Sequence, residues 1–448
     1  MRLSKIAEIL RTQLIGNDGE FTAINTDSRT LKVGELFIAL RGENFNGHDF
    51  VHEAQKRGAA GVLVDHPLLV NLPQIVAHDT VRALGELGKW KRNNINFPII
   101  AVTGSSGKTT TRAMISSILS GVGPVLSSTK SFNNEIGVPL TLWQLSAKYK
   151  FGVLEIGANH FGEITHLVRM VRPQVAVITN AGPAHLEGFS SVDGVACAKG
   201  EILRGLVPDG IAVLNADDKY FSYWQHLAEP HRIVTFGLQN QAEVMMTDLH
   251  LNEEHQASFT LLSPQGAIAI NLPLLGAHNA WNALSAAAVA GALGIGNEAI
   301  KAGLEKVAAG DQRLQVYPGF AGAKIIDDSY NAIPTAVLAA LEILARTQHK
   351  KIFVFGGMSE VGEEVVLWHE KIGQSARALN IDALYVYGAH APIVARAFGA
   401  NAYTFTDHNE LVAALKPQLD ERTTVLIKGS RVSRMEKVVI QLRKTMNN

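Results

Sequence analysis

A single cysteine, Cys197, in 448 residues has no partner for an intramolecular disulfide and excludes a cysteine metal cluster. Its helical setting predicts a small buried hydrophobe. No apolar run approaches the length that spans a bilayer. The amino terminus, MRLSKIAEIL, is amphipathic and mixed in charge, unlike a signal peptide. An excess of one charge is missing too. Lysine plus arginine number 41 and aspartate plus glutamate 41, so no global field draws the chain to nucleic acid or to a membrane. Repeats and low-complexity segments are absent. A soluble, cytoplasmic protein is the expectation, and 448 residues exceed one core, which predicts two or three domains.

What is present centres on Pro98 to Met114, PIIAVTGSSGKTTTRAM. The β-favouring run Ile99-Ile100-Ala101-Val102 breaks at Thr103-Gly104, and Ser105, Ser106, Gly107, Lys108, Thr109 and Thr110 lead into a helical pattern at Met114, Ile115, Ile118 and Leu119. Strand, glycine turn and helix in that order build an anion site, with backbone N–H groups and the helix dipole facing a phosphate. Lys108 then reaches the terminal phosphates, and the Thr109 hydroxyl can ligate Mg²⁺. Val102 stands where the strict Walker spacing has its first glycine. A nucleoside triphosphate is the expected ligand.

The chain divides into three segments. The first, 1–85, has an amphipathic helix, short strands at Phe37–Leu40 and Gly61–Val64, and a helix over Val51–Arg57. Within it, Ser28 and Arg29 in TDSR suit a diphosphate or uracil edge, although polar turn chemistry explains them equally. A helical pattern from Thr80 to Asn94 connects to the second segment, 86–311. Its apolar runs at Gly152–Ile156, Val175–Thr179 and Ile211–Asn215 predict strands buried on both faces of a mostly parallel sheet. A hairpin is expected across Ser258–Pro273, and an alanine-rich helix follows Gly276. The third segment, 312–448, alternates strands and helices in a Rossmann-like pattern. No Gly-x-Gly-x-x-Gly follows its first strand, which argues against a nicotinamide cofactor. The fold class expected is α/β throughout.

Mg²⁺ prefers oxygen ligands. Glu155, ending an apolar strand, is a candidate ligand, and His185, in a loop past another strand end, can take a second metal or meet a γ-phosphate. Lys199 reads first as a solvated helix lysine. Asn279 and Asn282 lie one helical turn apart and offer amides to an adenine edge or a phosphate oxygen; helix capping accounts for Asn279 equally well. Arg313 is placed to act as an arginine finger. Asp327 and Asp328 point to opposite faces of a strand, so one of them should face the cleft. Lys428, Ser430 and Arg431 form a basic turn suited to carboxylate or phosphate.

Nine stretches together resemble the Mur ligases: TDSRTLKVGELFIALRGENFNGHDF, TGSSGKTT, SFNNEIGVPLTL, EIGANHFGEI, AHLEGF, AKGEI, GAHNAWNAL, DDSYNA and IKGSR. Within that family they are most similar to the ligases that add D-alanyl-D-alanine to UDP-MurNAc-tripeptide. The short phosphate loop is the family form. The resemblance implies three domains, for UDP-sugar peptide, ATP and D-Ala-D-Ala in turn, which close on their substrates. It implies carboxylate phosphorylation to an acyl phosphate, then attack by the D-Ala-D-Ala amine. By carry-over, Lys108 and Thr109 hold phosphates and Mg²⁺, Glu155 and His185 serve two metal ions, and Lys199 is carbamylated. Asn282 and Asn279 contact ATP, and Arg313 and Asp328 close on the nucleotide. Ser28, Arg29, Asn133, Asn134, Tyr330, Asn331, Lys428 and Arg431 fall at substrate-facing positions. A monomer is expected. The chain departs from the family at Gly357, where an aspartate is usual, at Ile333 (asparagine) and at Gln312 (glycine).

Overall fold

The computed structural model describes residues 1–42, 45–129 and 132–443. Glu43 and Asn44 of the first resembling stretch, and Ser131 of SFNN, lie outside them. Three α/β domains follow one another along the chain, built on two larger sheets and two smaller ones. The amino-terminal sheet has five strands, ordered Leu14–Ile15, Gln74–Val76, Gly61–Val64, Leu36–Ile38 and Ile24–Asn25, of which only the first pairs antiparallel.

The central sheet is wholly parallel, in the order Arg232–Phe236, Ile211–Asn215, Val175–Ile178, Ile99–Thr103, Phe151–Glu155 and Val125–Ser127. Its alternation is visible in one strand. Ile100 and Val102 face one core with the helix Lys108–Ser120, while Ile99 and Ala101 face another with the helix Glu163–Val171. Burial on both faces explains the continuous apolar runs. The helix Lys108–Ser120 buries Thr111, Met114, Ile115, Ile118 and Leu119, a stripe at three- and four-residue spacing. The alanine-rich helix His278–Ala292 is buried nearly all round, because the antiparallel sheet Met245–Leu251, Gln256–Ser263, Gly266–Leu275 covers the side away from the central sheet. The expected hairpin is the second and third strands of that sheet.

The third domain orders Gln315–Pro318, Lys324–Asp328, Thr423–Lys428, Lys350–Phe355, Ala383–Tyr387 and Ala402–Phe405, parallel after the first pair. Its doubly wound form is the one expected. The helix Thr80–Asn93 is more than a connection. It buries Ala83, Leu84 and Leu87 in the amino-terminal core and runs through residue 85, and Gly88 lets it approach Pro139 of the central domain, where an added Cβ would lie 2.8 Å away.

Cys197 corrects an expectation: it is exposed. The helix Val192–Gly200 buries Val195, Ala196, Ala198 and Lys199. Cys197 falls on the opposite face, its Sγ 3.5 Å from the Tyr223 hydroxyl.

One buried group gives the fold a pH dependence. His369 is fully buried; its Nδ1 lies 2.7 Å from Val365 O, and Nε2 accepts the Met358 N–H at 3.0 Å. A proton on Nε2 would set N–H against N–H, and burial pushes the imidazole below its ordinary value. The unfolded chain then takes up a proton that the folded chain refuses, so this contribution is present above about pH 6.5 and is lost on acidification. The thermal midpoint should fall between pH 7.5 and 5.5. His369→Gln, whose amide oxygen can replace the acceptor, should flatten that fall; an unchanged slope would contradict it.

Candidate active site

The carboxyl ends of the central strands converge on one cavity of about 770 Å³, within the usual size of a small-molecule site. Its floor is the phosphate loop. Gly104 adopts φ +146° and an added Cβ would stand 1.9 Å from Thr179 Oγ1; Gly107, at φ +77°, would meet Asn282 Oδ1 at 2.2 Å. Both positions therefore need glycine for space as well as for conformation. Asn180 ties the loop down. Its carbonyl accepts the Ser105 N–H at 3.0 Å, and its Oδ1 accepts the Ser106 N–H at 3.1 Å. Lys108 Nζ bends back to donate to Gly104 O (2.7 Å) and Ser105 O (3.3 Å), and burial lowers its pKa.

Next to the loop lies a compact polar group. Thr109 Oγ1 donates to Glu155 Oε2 at 2.9 Å, Asn133 Nδ2 donates to Glu155 Oε1 at 2.9 Å, and Arg313 Nη2 donates to Thr109 Oγ1 at 3.2 Å. Glu155 is 2% exposed. Arg313 comes from the start of the third segment, and its guanidinium sits 4.3 Å from the Tyr330 ring centroid. From the same side Lys428 donates to Asp328 Oδ2 and to Asn331 O. Asp328 thus faces the cavity, while Asp327 turns away to accept the Ser329 N–H and hydroxyl. On the alanine-rich helix, Asn282 Nδ2 donates to Asn279 Oδ1 at 2.8 Å, and Asn279 Nδ2 to Leu275 O. Asn134 lines the cavity and accepts the Gly137 N–H at 2.9 Å, starting the helix Gly137–Trp143. Thr110 completes the loop's side of the wall.

His185 lines the cavity too, with Nδ1 2.6 Å from Glu360 Oε2. The approach of that imidazole holds the Glu360 carboxyl below its ordinary range, and the contact is an ion-pair approach rather than an aligned hydrogen bond, since Nδ1 has no hydrogen-bond partner among the described residues. Lys199 corrects its first reading: it is fully buried, not a solvated helix lysine. Its Nζ has no hydrogen-bond partner among the described residues and stands 5.3 Å from the Phe189 ring centroid. Burial, with Lys108 as a second cause, lowers its pKa to about 7.

Three expected residues lie elsewhere. Ser28 Oγ donates to Glu53 Oε2 and Arg29 pairs with Asp27 on the amino-terminal domain, outside this cavity. Arg431 is exposed, 3.5 Å from Glu436. The basic turn is therefore divided, with Lys428 in the cavity and Arg431 outside it. Two residues went unread in the sequence. Arg112, whose Nε is buried 3.8 Å from Glu155, is signalled by being the one charge after Lys108 in the helix Lys108–Ser120. Glu360 is signalled only by its place among glycines after a strand end.

The family departures have local explanations. Gln312 adopts φ +58°, a conformation that glycine takes freely and that costs other residues roughly 1–2 kcal/mol. Ile333 precedes the helix Pro334–Ala345 and offers no side-chain cap, where an asparagine would contribute about 1 kcal/mol. Gly357, at φ +71°, leaves room for the His369 ring, 3.2 Å from where a Cβ would be.

Three family models match along the chain: Mur ligase family, catalytic domain, over residues 20–101; Mur ligase middle domain over 102–290; and Mur ligase, glutamate ligase domain, over 312–431. The UDP-N-acetylmuramoyl-tripeptide–D-alanyl-D-alanine ligase of Escherichia coli K12 is 40% identical, over 98% of this chain and 97% of that protein. A crystal structure of MurF from Acinetobacter baumannii superposes with a TM-score of 0.90 at 34% identity, covering 98% and 97% of the two chains. MurF from Thermotoga maritima in complex with ADP gives 0.82 at 26% identity, covering 94% and 96%.

Proposed function

The chain belongs to the Mur ligase family, and from that premise we propose how its cavity works: as the site of an ATP-dependent ligase that joins D-alanyl-D-alanine to UDP-MurNAc-tripeptide, yielding UDP-MurNAc-pentapeptide, ADP and phosphate. The full-length similarity supports the substrate pair. The observation that carries the mechanism is the meeting, in one cavity, of Lys108 and Thr109 from the phosphate loop with Arg313, Asp328 and Lys428 from the third domain.

Residues 1–85 bind the UDP-sugar, 86–311 bind ATP, and 312–448 receive D-Ala-D-Ala. The tripeptide's terminal carboxylate oxygen attacks the γ-phosphorus of ATP, ADP leaves, and an acyl phosphate results. The amine nitrogen then attacks the acyl carbon. The tetrahedral intermediate loses phosphate and a proton, and the amide remains. Lys108 and Arg313 neutralise charge on the transferring phosphoryl group, which is the main task in such reactions. Asn279 and Asn282 hold the nucleotide from the alanine-rich helix. Asn133, Asn134, Tyr330 and Asn331 flank the acceptor path, with Lys428 ready for a carboxylate once Asp328 shares it. Ser28, Arg29 and Arg431 stand at the outer ends of the bound substrates.

The donor set fits Mg²⁺. Thr109 and Glu155 present oxygens beside the phosphate loop, and His185 offers a nitrogen to a second ion. Mg²⁺, when bound, neutralises the phosphate oxygens. An orphaned amine in a fully buried position also fits carbamylation of Lys199: carbon dioxide adds to the neutral nitrogen, a proton leaves, and the product is an anionic ligand. A monomer working in the cytoplasm suits the activity.

Isotope transfer tests this chemistry. With ¹⁸O in the tripeptide's terminal carboxylate, one labelled oxygen should appear in the released phosphate when D-Ala-D-Ala is added. Unlabelled phosphate with amide formed would exclude the acyl phosphate route.

A further inference from the structure

The segment after the strand Lys350–Phe355 crosses from the third domain to the central one, and its tip meets His185. It is firmly rooted at home. Met358 N–H donates to His369 Nε2 at 3.0 Å, Gly357 O accepts the Ser430 N–H at 2.9 Å, and Val361 is 2% exposed in the third domain's core. Between these anchors Glu360 reaches across. Its Oε2 is 2.6 Å from His185 Nδ1, and its carbonyl accepts the Leu186 N–H at 2.9 Å. Gly362 lies against Leu186 on the same side. Both facing residues hold left-handed backbone, Glu360 at φ +63° and His185 at φ +53°. Non-glycine residues take this conformation when their surroundings enforce it. Two such residues, joined through backbone and side chain, make a built contact between domains.

We propose that Glu360 is the positioning residue for His185, and that it makes the His185 metal position complete only when the third domain is docked. The inference rests on the reading of His185 as a metal ligand. A histidine that ligates through one nitrogen is oriented by the acceptor on the other, and a carboxylate there also raises its basicity. Glu360 Oε2 stands 2.6 Å from Nδ1 without hydrogen-bond alignment, and a small rotation of the ring or carboxylate makes it that acceptor, leaving Nε2 for the ion. Because the carboxylate belongs to another domain, ion binding at His185 and domain docking favour each other reciprocally. The segment GGMSEVG thus acts as a latch that senses the metal.

The test uses the full-length protein with a non-hydrolysable ATP analogue and Mn²⁺ as the probe ion. In wild type two Mn²⁺ ions should bind, with compaction in small-angle scattering. Glu360→Ala should weaken the second Mn²⁺ by about tenfold to a hundredfold, leave the first within about twofold, and reduce the compaction. Glu360→Gln, which keeps an acceptor, should recover part of the loss. In a His185→Ala background Glu360→Ala should have no further effect on Mn²⁺ affinity, a result that a merely structural role would not give. Wild-type binding of a single Mn²⁺, undiminished second-ion affinity in Glu360→Ala, or an equal loss in both backgrounds would overturn the proposal. These readouts need no turnover, so absence of phosphate release by wild type would refute the ligase reading separately.

Discussion

Lys108→Ala should lower ATP-dependent ligation by about a thousandfold or more, with little change in the thermal midpoint. The rate effect follows from position. Lys108 opens the helix Lys108–Ser120 and its ammonium folds back over the phosphate loop, donating to the carbonyls of Gly104 and Ser105. Those carbonyls are weak partners for a buried cation, and burial already lowers the lysine's pKa. A phosphate entering the loop replaces them with full negative charge. Removing one preorganised donor from developing transition-state charge costs roughly a hundredfold to a thousandfold, and a cationic donor stands at the upper end. The stability effect should be small because the carbonyls left behind belong to a loop also held by Asn180 and Thr179. Steady-state phosphate release checks the first part and thermal unfolding the second. Turnover within tenfold of wild type would remove Lys108 from the mechanism.

Lys199 should show the opposite signs in activity and stability. Its amine is buried with no hydrogen-bond partner among the described residues, which is costly for a charge and still unfavourable for the neutral form. Lys199→Met, similar in length and apolar, should therefore raise the thermal midpoint in metal-free, carbon-dioxide-depleted buffer. The same variant should lose ligation by about a hundredfold or more, since losing a ligand exceeds the loss of an outer-shell partner. Lys199→Arg should be equally inactive, because a guanidinium forms no carbamate under these conditions. A pKa of about 7 sets the pH sign. Above it the free amine is available to carbon dioxide; below it protonation withdraws the nucleophile, and carbamylation falls. Wild-type enzyme depleted of carbon dioxide should lose activity and regain it with bicarbonate, and ¹³C-labelled bicarbonate should give a carbamate resonance. Full activity of Lys199→Met would contradict this account.

The phosphate loop was legible because its requirements are local. A strand, two glycines forced by Thr179 and Asn282, and a lysine at a helix start occupy a dozen consecutive residues. Continuous apolar runs announced the parallel central sheet for a similar reason, since burial on both faces leaves no polar alternation. Glu155 and Asp328 were readable as carboxylates ending apolar strands. Lys199 was marked by the family resemblance alone, since spacing does not reveal which helix face the rest of the domain covers. Cys197, two positions earlier, failed in the converse way and faces solvent. Glu360 escaped because its partner, His185, lies far away in sequence and on another domain. Pairings that exist only across a domain junction leave no periodicity to read.

The central claim is tested most directly by phosphate release from ATP in the presence of UDP-MurNAc-tripeptide, measured with and without D-Ala-D-Ala, with the product weighed by mass spectrometry. Release that requires both substrates, with a product of UDP-MurNAc-pentapeptide mass, is the predicted result. Nucleotide binding without release, or release indifferent to D-Ala-D-Ala, would contradict it.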